Sequence, residues 1–322
     1  MVSQSSRRER AQVLLTGAIA VAFVIIGLVV VVNTLIVTED GLAGDRLDRA
    51  DQAESFEFEA RRNVQRLLLE VNHRERNVTA PAVNASIHEN VSRYGRLLGE
   101  TYGASGSTYV DLAYHNASST WGERIVQVGD DRYQSPGGGS DWWLIRNVSG
   151  QRREVGRFVV NANMRSRWLS TVNVSATNAT GSSLQLELGK ERDGSVRVDW
   201  TASDRPDGTT TCDTRGGRSL LGLVSGRAHT ADCDFPGLEN VGGPVAVRIE
   251  NGQGGVGKFG LVANDTVDTY DDGTVDPYPT CDDGVDADRP CTAPVVWEAN
   301  VTVTFDTTGV TIDRTQNVSV YP

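Results

Sequence analysis

Lysine is almost absent from this chain. Lys190 and Lys258 are the only two in 322 residues, so 29 of the 31 basic residues are arginine, set against 42 acidic residues and a formal charge of −11. A surface this acidic, without clustered Lys and Arg, excludes nucleic acid as a partner. Histidine and cysteine are also scarce, four of each. There is no Cys-x-x-Cys pair for zinc, no His-Glu-x-x-His and no Gly-x-Ser-x-Gly, so no compact motif supplies a metal centre or an activated nucleophile. The expectation is a protein without enzymatic activity. Aspartate outnumbers glutamate, and at molar salt charge repulsion is screened within a few ångströms. The composition therefore fits a halophilic source.

Charge is missing altogether between residues 11 and 38, and 13–32 is almost wholly apolar. Roughly 20 such residues span a bilayer, more than the core of a cleaved secretory signal. Arg7, Arg8 and Arg10 precede the run and Glu39, Asp40 and Asp45 follow it, which places the N-terminus in the cytoplasm. The expectation is a single-pass transmembrane helix at 12–38, with the membrane as partner, a cell-membrane location and everything beyond residue 38 outside.

Arg10-Ala11-Gln12 lies just before the run. A short basic leader ending in this way resembles archaeal type IV pilin precursors with a class III signal peptide. The resemblance implies cleavage between Ala11 and Gln12, and assembly with other pilin-like subunits by a type IV pilus-type machinery. Many such proteins carry Glu five residues into the mature chain, where this one has Thr16.

Periodicity organises the exterior. Leu47, Ala50, Ala53, Phe56, Ala60, Val64, Leu67, Leu68 and Val71 recur every three or four positions and predict an amphipathic helix over 45–73. Val83, Ile87, Val91, Tyr94 and Leu98 predict a second over 81–103, opened by Pro81 and closed by Gly103. The pair forms a stalk or a helical hairpin. From about Thr108 the period becomes two, predicting strands at 109–114, 124–128, 142–145, 184–188, 196–200, 245–249 and 301–305, with turns at Asp193-Gly194 and at 306–309. Gly252 to Lys258 falls one residue short of a phosphate loop, Phe259 standing where Ser or Thr must hold the metal. It is read as a glycine hairpin between 245–249 and 259–262. The fold class expected is α+β: a transmembrane helix and helical stalk or hairpin, then an antiparallel β-sandwich-like domain. The division is a leader at 1–11, an anchor at 12–38, a helical region at 39–103 and a β domain at 104–322.

Ten Asn-x-Ser/Thr sequons stand at Asn77, Asn84, Asn90, Asn116, Asn147, Asn173, Asn178, Asn264, Asn300 and Asn317. With 17 Asn and 50 Ser plus Thr in 322 residues, random placement gives between two and three. The excess marks N-glycan acceptors and an extracytoplasmic domain. The cysteines, Cys212, Cys233, Cys281 and Cys291, form an even set and predict two disulfides between sequence neighbours. Asp268, Asp271, Asp272 and Asp276, in an acid-rich loop, are weak calcium candidates. Calcium is the one cofactor the sequence suggests.

The function expected is a membrane-anchored, N-glycosylated cell-surface protein, a pilin-like structural or adhesion component. The alternative is a signal-anchored envelope protein whose β domain binds carbohydrate or acts as a hydrolase, which an exposed Trp142-Trp143 and a buried polar cleft would favour.

Overall fold

In this computed structural model the described residues are 44–74, 79–105, 108–145, 153–265, 268–271, 274–281 and 288–321, with backbone alone over 44–52, 268–271 and 274–277. Glu57–Pro322 forms one compact unit, and the described residues 44–56 belong to another. Two helices come first, α1 (Gly44–Arg74) and α2 (Ala80–Ser105). Then follow β1 (Tyr109–Arg132), β2 (Trp142–Ile145), β3 (Val155–Asn163), β4 (Val172–Asn178), β5 (Ser183–Lys190), β6 (Val196–Ala202), β7 (Arg205–Cys212), β8 (Arg218–Gly222), β9 (Arg227–Ala228), β10 (Val245–Glu250), β11 (Val256–Ala263), β12 (Asp268–Asp271), β13 (Thr274–Pro277), β14 (Cys291–Thr307) and β15 (Val310–Ser319). Seven strands form one sheet in the order β15-β14-β1-β11-β3-β8-β9, and eight form a second, β13-β12-β2-β10-β4-β5-β6-β7.

Alternation of side chains along each strand builds the core. On β4, Val172, Val174 and Ala176 are buried while Asn173, Ser175 and Thr177 between them are half-exposed. Ile125, Phe158, Leu221, Phe259 and Leu261 of the seven-stranded sheet share one cluster with Trp142, Leu144, Val174, Leu186, Val198 and Val247 of the eight-stranded sheet. The two sheets therefore pack face to face as an antiparallel sandwich. Each large side chain buried there contributes about 1.5–3 kcal/mol.

This is a mostly β protein, and the expected α+β fold led by a membrane helix and a stalk is corrected. Among the described residues no helix is long and apolar enough to cross a membrane. Nothing described therefore supports the single-pass anchor or the cell-membrane location drawn from it, and the segment proposed for it, 12–38, lies outside the described residues, as do Arg10, Ala11 and Gln12. Nor does the helical region stand free as a stalk. In α1, Val64 and Leu68 are fully buried, and the same holds for Ile87 and Val91 in α2. Gly95 of α2 sits against Leu112 of β1, where an added Cβ would come within 3.1 Å of the Leu112 nitrogen. Tyr102 meets Phe305 of β14 edge-on, ring centroids 6.1 Å apart. Asn72 of α1 donates to the Val296 carbonyl at 2.7 Å and accepts from the Val296 N–H at 3.0 Å. The apolar stripe of α2 is spent on the sheet, because a half-buried helix face finds its partner in β1 and β14.

Two further expectations change. The strands expected at 109–114 and 124–128 are one 24-residue strand, β1, whose register against β14 shifts between His115 and Thr120. The glycine stretch 252–258 is no hairpin: β10 belongs to the eight-stranded sheet and β11 to the seven-stranded one, so the chain crosses the sandwich there. Gly257 is pressed against the Tyr133 hydroxyl and the Asn161 carbonyl, leaving no room for a Cβ. These glycines answer to close packing rather than to a phosphate.

Candidate functional site

The most chemically distinctive place in the Glu57–Pro322 unit is a cleft on the outer face of the seven-stranded sheet. Residues two apart on a strand share a face. Ile125, Phe158 and Leu261 point into the core, so Arg124 and Val126 on β1, Arg157 and Val159 on β3, and Gly260 and Val262 on β11 point outward. Strand register aligns them in two rows, Arg124–Val262–Arg157 and Val126–Gly260–Val159. With Val128 and, from the last turn of α1, His73, they line a cleft of about 210 Å³. Two arginines flank one valine across the middle strand, and glycine leaves the floor of the next row open. An added Cβ at Gly260 would meet only a Val126 methyl, at 3.7 Å.

The cleft is basic in an acidic protein. His73 is pushed down to about 4, first by burial and then by the charges of Arg157 and Arg124, so its ring is neutral at pH 7. Its Nε2 lies 3.3 Å from the Tyr321 hydroxyl, which receives a hydrogen bond from Asn72 at 3.2 Å. Burial holds the Tyr321 hydroxyl up at about 12. Arg124 is 4% exposed and donates from Nη1 to the Asn72 carbonyl at 2.6 Å. Arg157 is exposed at the rim, and among the described residues no carboxylate lines the cleft. Elsewhere arginines are matched with acids: Arg197 lies within 4 Å of Glu187, Glu191 and Asp199, and Arg218 pairs with Asp130.

The sequence-predicted sites are distributed differently. Cys212 is bonded to Cys233 and Cys281 to Cys291, with Cα separations of 5.4 and 5.0 Å. The second bridge packs with Ala293 and Val126, beside the cleft. Asn116 and Asn317 are exposed, whereas Asn84, Asn90, Asn173, Asn264 and Asn300 are partly covered. Asn300 donates to Asn317 at 2.8 Å across the β14–β15 ladder. Asn178 is built into the structure. It is 8% exposed, its Nδ2 donates to the Val241 and Gly242 carbonyls, and its Oδ1 holds the turn through the Thr180 and Ser182 N–H groups. Asn77 and Asn147 lie outside the described residues.

Asp268 and Asp271 bound β12, and Asp276 lies on β13, which pairs with it antiparallel, so the expected acidic loop contains a hairpin on the edge of the eight-stranded sheet. Asp272 lies outside the described residues. Among the described residues no cluster of three or more His, Cys, Asp or Glu could hold a metal. Trp142 is fully buried, its indole N–H donating to the Tyr133 carbonyl at 3.1 Å. Trp143 is half-buried under the Arg248 guanidinium, 5.5 Å from the ring centre. Trp142 and Trp143 therefore form no exposed pair.

Comparison with known proteins adds little to this geometry. No protein family matches the chain, and no curated protein does. Two solved structures show a likeness, crystal structures of Scytalido-glutamic peptidase with a peptide-based transition state analog and with a transition state analog inhibitor. Each is 10% identical over 62% of this chain, covers 87% and 88% of its own chain respectively, and gives a TM-score of 0.14. A likeness that low carries no argument about fold or activity.

Proposed function

We propose that this chain is an exported, N-glycosylated structural or adhesion component, a disulfide-stapled β-sandwich without enzymatic activity. The observation that carries the reading is the pair of disulfides: all four cysteines are consumed in two bridges between sequence neighbours, and such bridges persist in oxidising, extracytoplasmic surroundings. The exposed sequons at Asn116 and Asn317 agree with that placement. Processing between Ala11 and Gln12, which the leader's resemblance implies, belongs to the same proposal.

Intact-mass and peptide mass spectrometry of the protein from a glycosylating host provides the test. The expected result is no thiol that reacts before reduction, glycan on Asn116 and Asn317, and a mature chain beginning at Gln12. Four reactive thiols together with unmodified asparagines would remove the export reading, and a retained Met1 or Val2 would remove the processing step.

A further inference from the structure

The geometry points to the outer-face cleft as a binding site for a small organic carboxylate with an apolar body, recognised by Arg157 opposite Arg124. Three observations converge on that chemistry. The first is charge. Arg157 makes no ion pair among the described residues, and the cleft lining holds two guanidiniums and no carboxylate, although the chain carries −11 overall. Walls of one charge over a low-dielectric floor concentrate the opposite charge. Planar guanidiniums match a carboxylate with two parallel hydrogen bonds.

The second is the character of the rest of the wall. Val126, Val128, Val159 and Val262 surround the open floor at Gly260. None offers a hydrogen bond, so a sugar ring placed there would leave its hydroxyls unpaired, at a cost an apolar ring does not bear. His73 is no substitute partner, since its Nε2 already faces Tyr321. The third is size. At about 210 Å³ the cleft falls below the roughly 300–1,000 Å³ of sites for drug-sized ligands. It suits one ring or one branched side chain carrying the acid.

The register makes the arrangement rigid. Arg124 and Arg157 stand on strands either side of β11, both aligned with Val262, so their Cα atoms are about 10 Å apart, two strand spacings. From the rim on β3 the exposed Arg157 supplies the hydrogen bonds to the acid, while Arg124, already donating to the Asn72 carbonyl, adds positive charge beneath it, and the apolar body lies over Gly260.

The test is titration of the full chain with cyclohexanecarboxylate, followed by calorimetry or ligand-observed NMR, with cyclohexylmethanol, glucuronate and sulfate in parallel. Cyclohexanecarboxylate is expected to bind at least about tenfold more tightly than the neutral alcohol, the usual worth of a charge-assisted hydrogen bond. Arg157→Gln, at an exposed position, should fold normally and lose about that same factor. Gly260→Leu, which fills the floor without altering charge, should abolish binding, and Arg192→Gln in the remote β5–β6 turn should change nothing. No binding at millimolar concentration, or equal binding by Arg157→Gln, overturns the proposal. Sulfate or glucuronate binding as tightly as cyclohexanecarboxylate overturns it too, the first by removing the apolar body and the second by showing a sugar site.

Discussion

Neutral His73, wedged between two arginines and a tyrosine, should make the fold acid-sensitive in a defined window. The groups facing it are Arg124, Arg157 and Tyr321. In the unfolded chain its imidazole protonates near 6.5, while in the folded protein it resists protonation down to about 4. As pH falls between these values the unfolded state binds a proton that the native state does not, so stability present above 6.5 is progressively lost. At 1.36 kcal/mol per pH unit the full interval corresponds to about 3 kcal/mol. The ring is only partly buried, which reduces this to about 2 kcal/mol. His73→Gln retains a polar group near the Tyr321 hydroxyl and removes the titration. Urea denaturation of both proteins from pH 7 to pH 4 should give stability curves that diverge on acidification, the wild type losing about 2 kcal/mol more. The carboxylates titrate equally in both and cancel. Parallel curves would refute the reasoning, and so would a steeper loss in the variant.

Three other outcomes are expected. Asn178→Ala strands two carbonyls and opens the 178–182 turn, so it should lower stability by about 2–3 kcal/mol in denaturant titrations, and no glycan should be found at this sequon. Replacing Cys212 and Cys233 together by Ala releases a 21-residue separation and should cost about 3 kcal/mol, read as a lowered Tm. Because Asn300 spends its Nδ2 on Asn317 while Asn317 accepts through Oδ1, glycopeptide analysis should find glycan on Asn317 and none on Asn300 of the same molecule.

The two helices were legible to within two residues at each end, 45–73 against Gly44–Arg74 and 81–103 against Ala80–Ser105, because one face of each is consistently apolar. The strands at 142–145, 184–188 and 196–200 were readable for the same reason, as was the Asp193-Gly194 turn, where Gly194 adopts φ +88°. β4 escaped despite a clean alternation, but other strands that escaped had weaker patterns. β7, Arg205–Cys212, is an edge strand buried only at Cys212, so nothing in its side chains alternates. In β1 the polar run 115–120 hides the continuity, because it spans a register shift where outward residues need not be apolar.

The cleft could not be read from the sequence at all, for a reason that bears on how such sites arise. Arg124, Arg157 and Val262 are separated by 33 and 105 positions and meet only because β11 lies between β1 and β3 in the sheet. Each is unremarkable in its own strand, where an outward arginine is the ordinary solvated residue. What distinguishes them is a register fixed by the opposite face: Ile125, Phe158 and Leu261 fit the sandwich core in one alignment, and a slip of one residue would turn every charged group inward. Core packing thus sets the spacing of the guanidiniums, and the Cys281–Cys291 bridge, packed against Val126, secures the adjoining wall. A core substitution that shifts β11 relative to β1, with no contact to the cleft, should therefore weaken ligand binding as much as Arg157→Gln does.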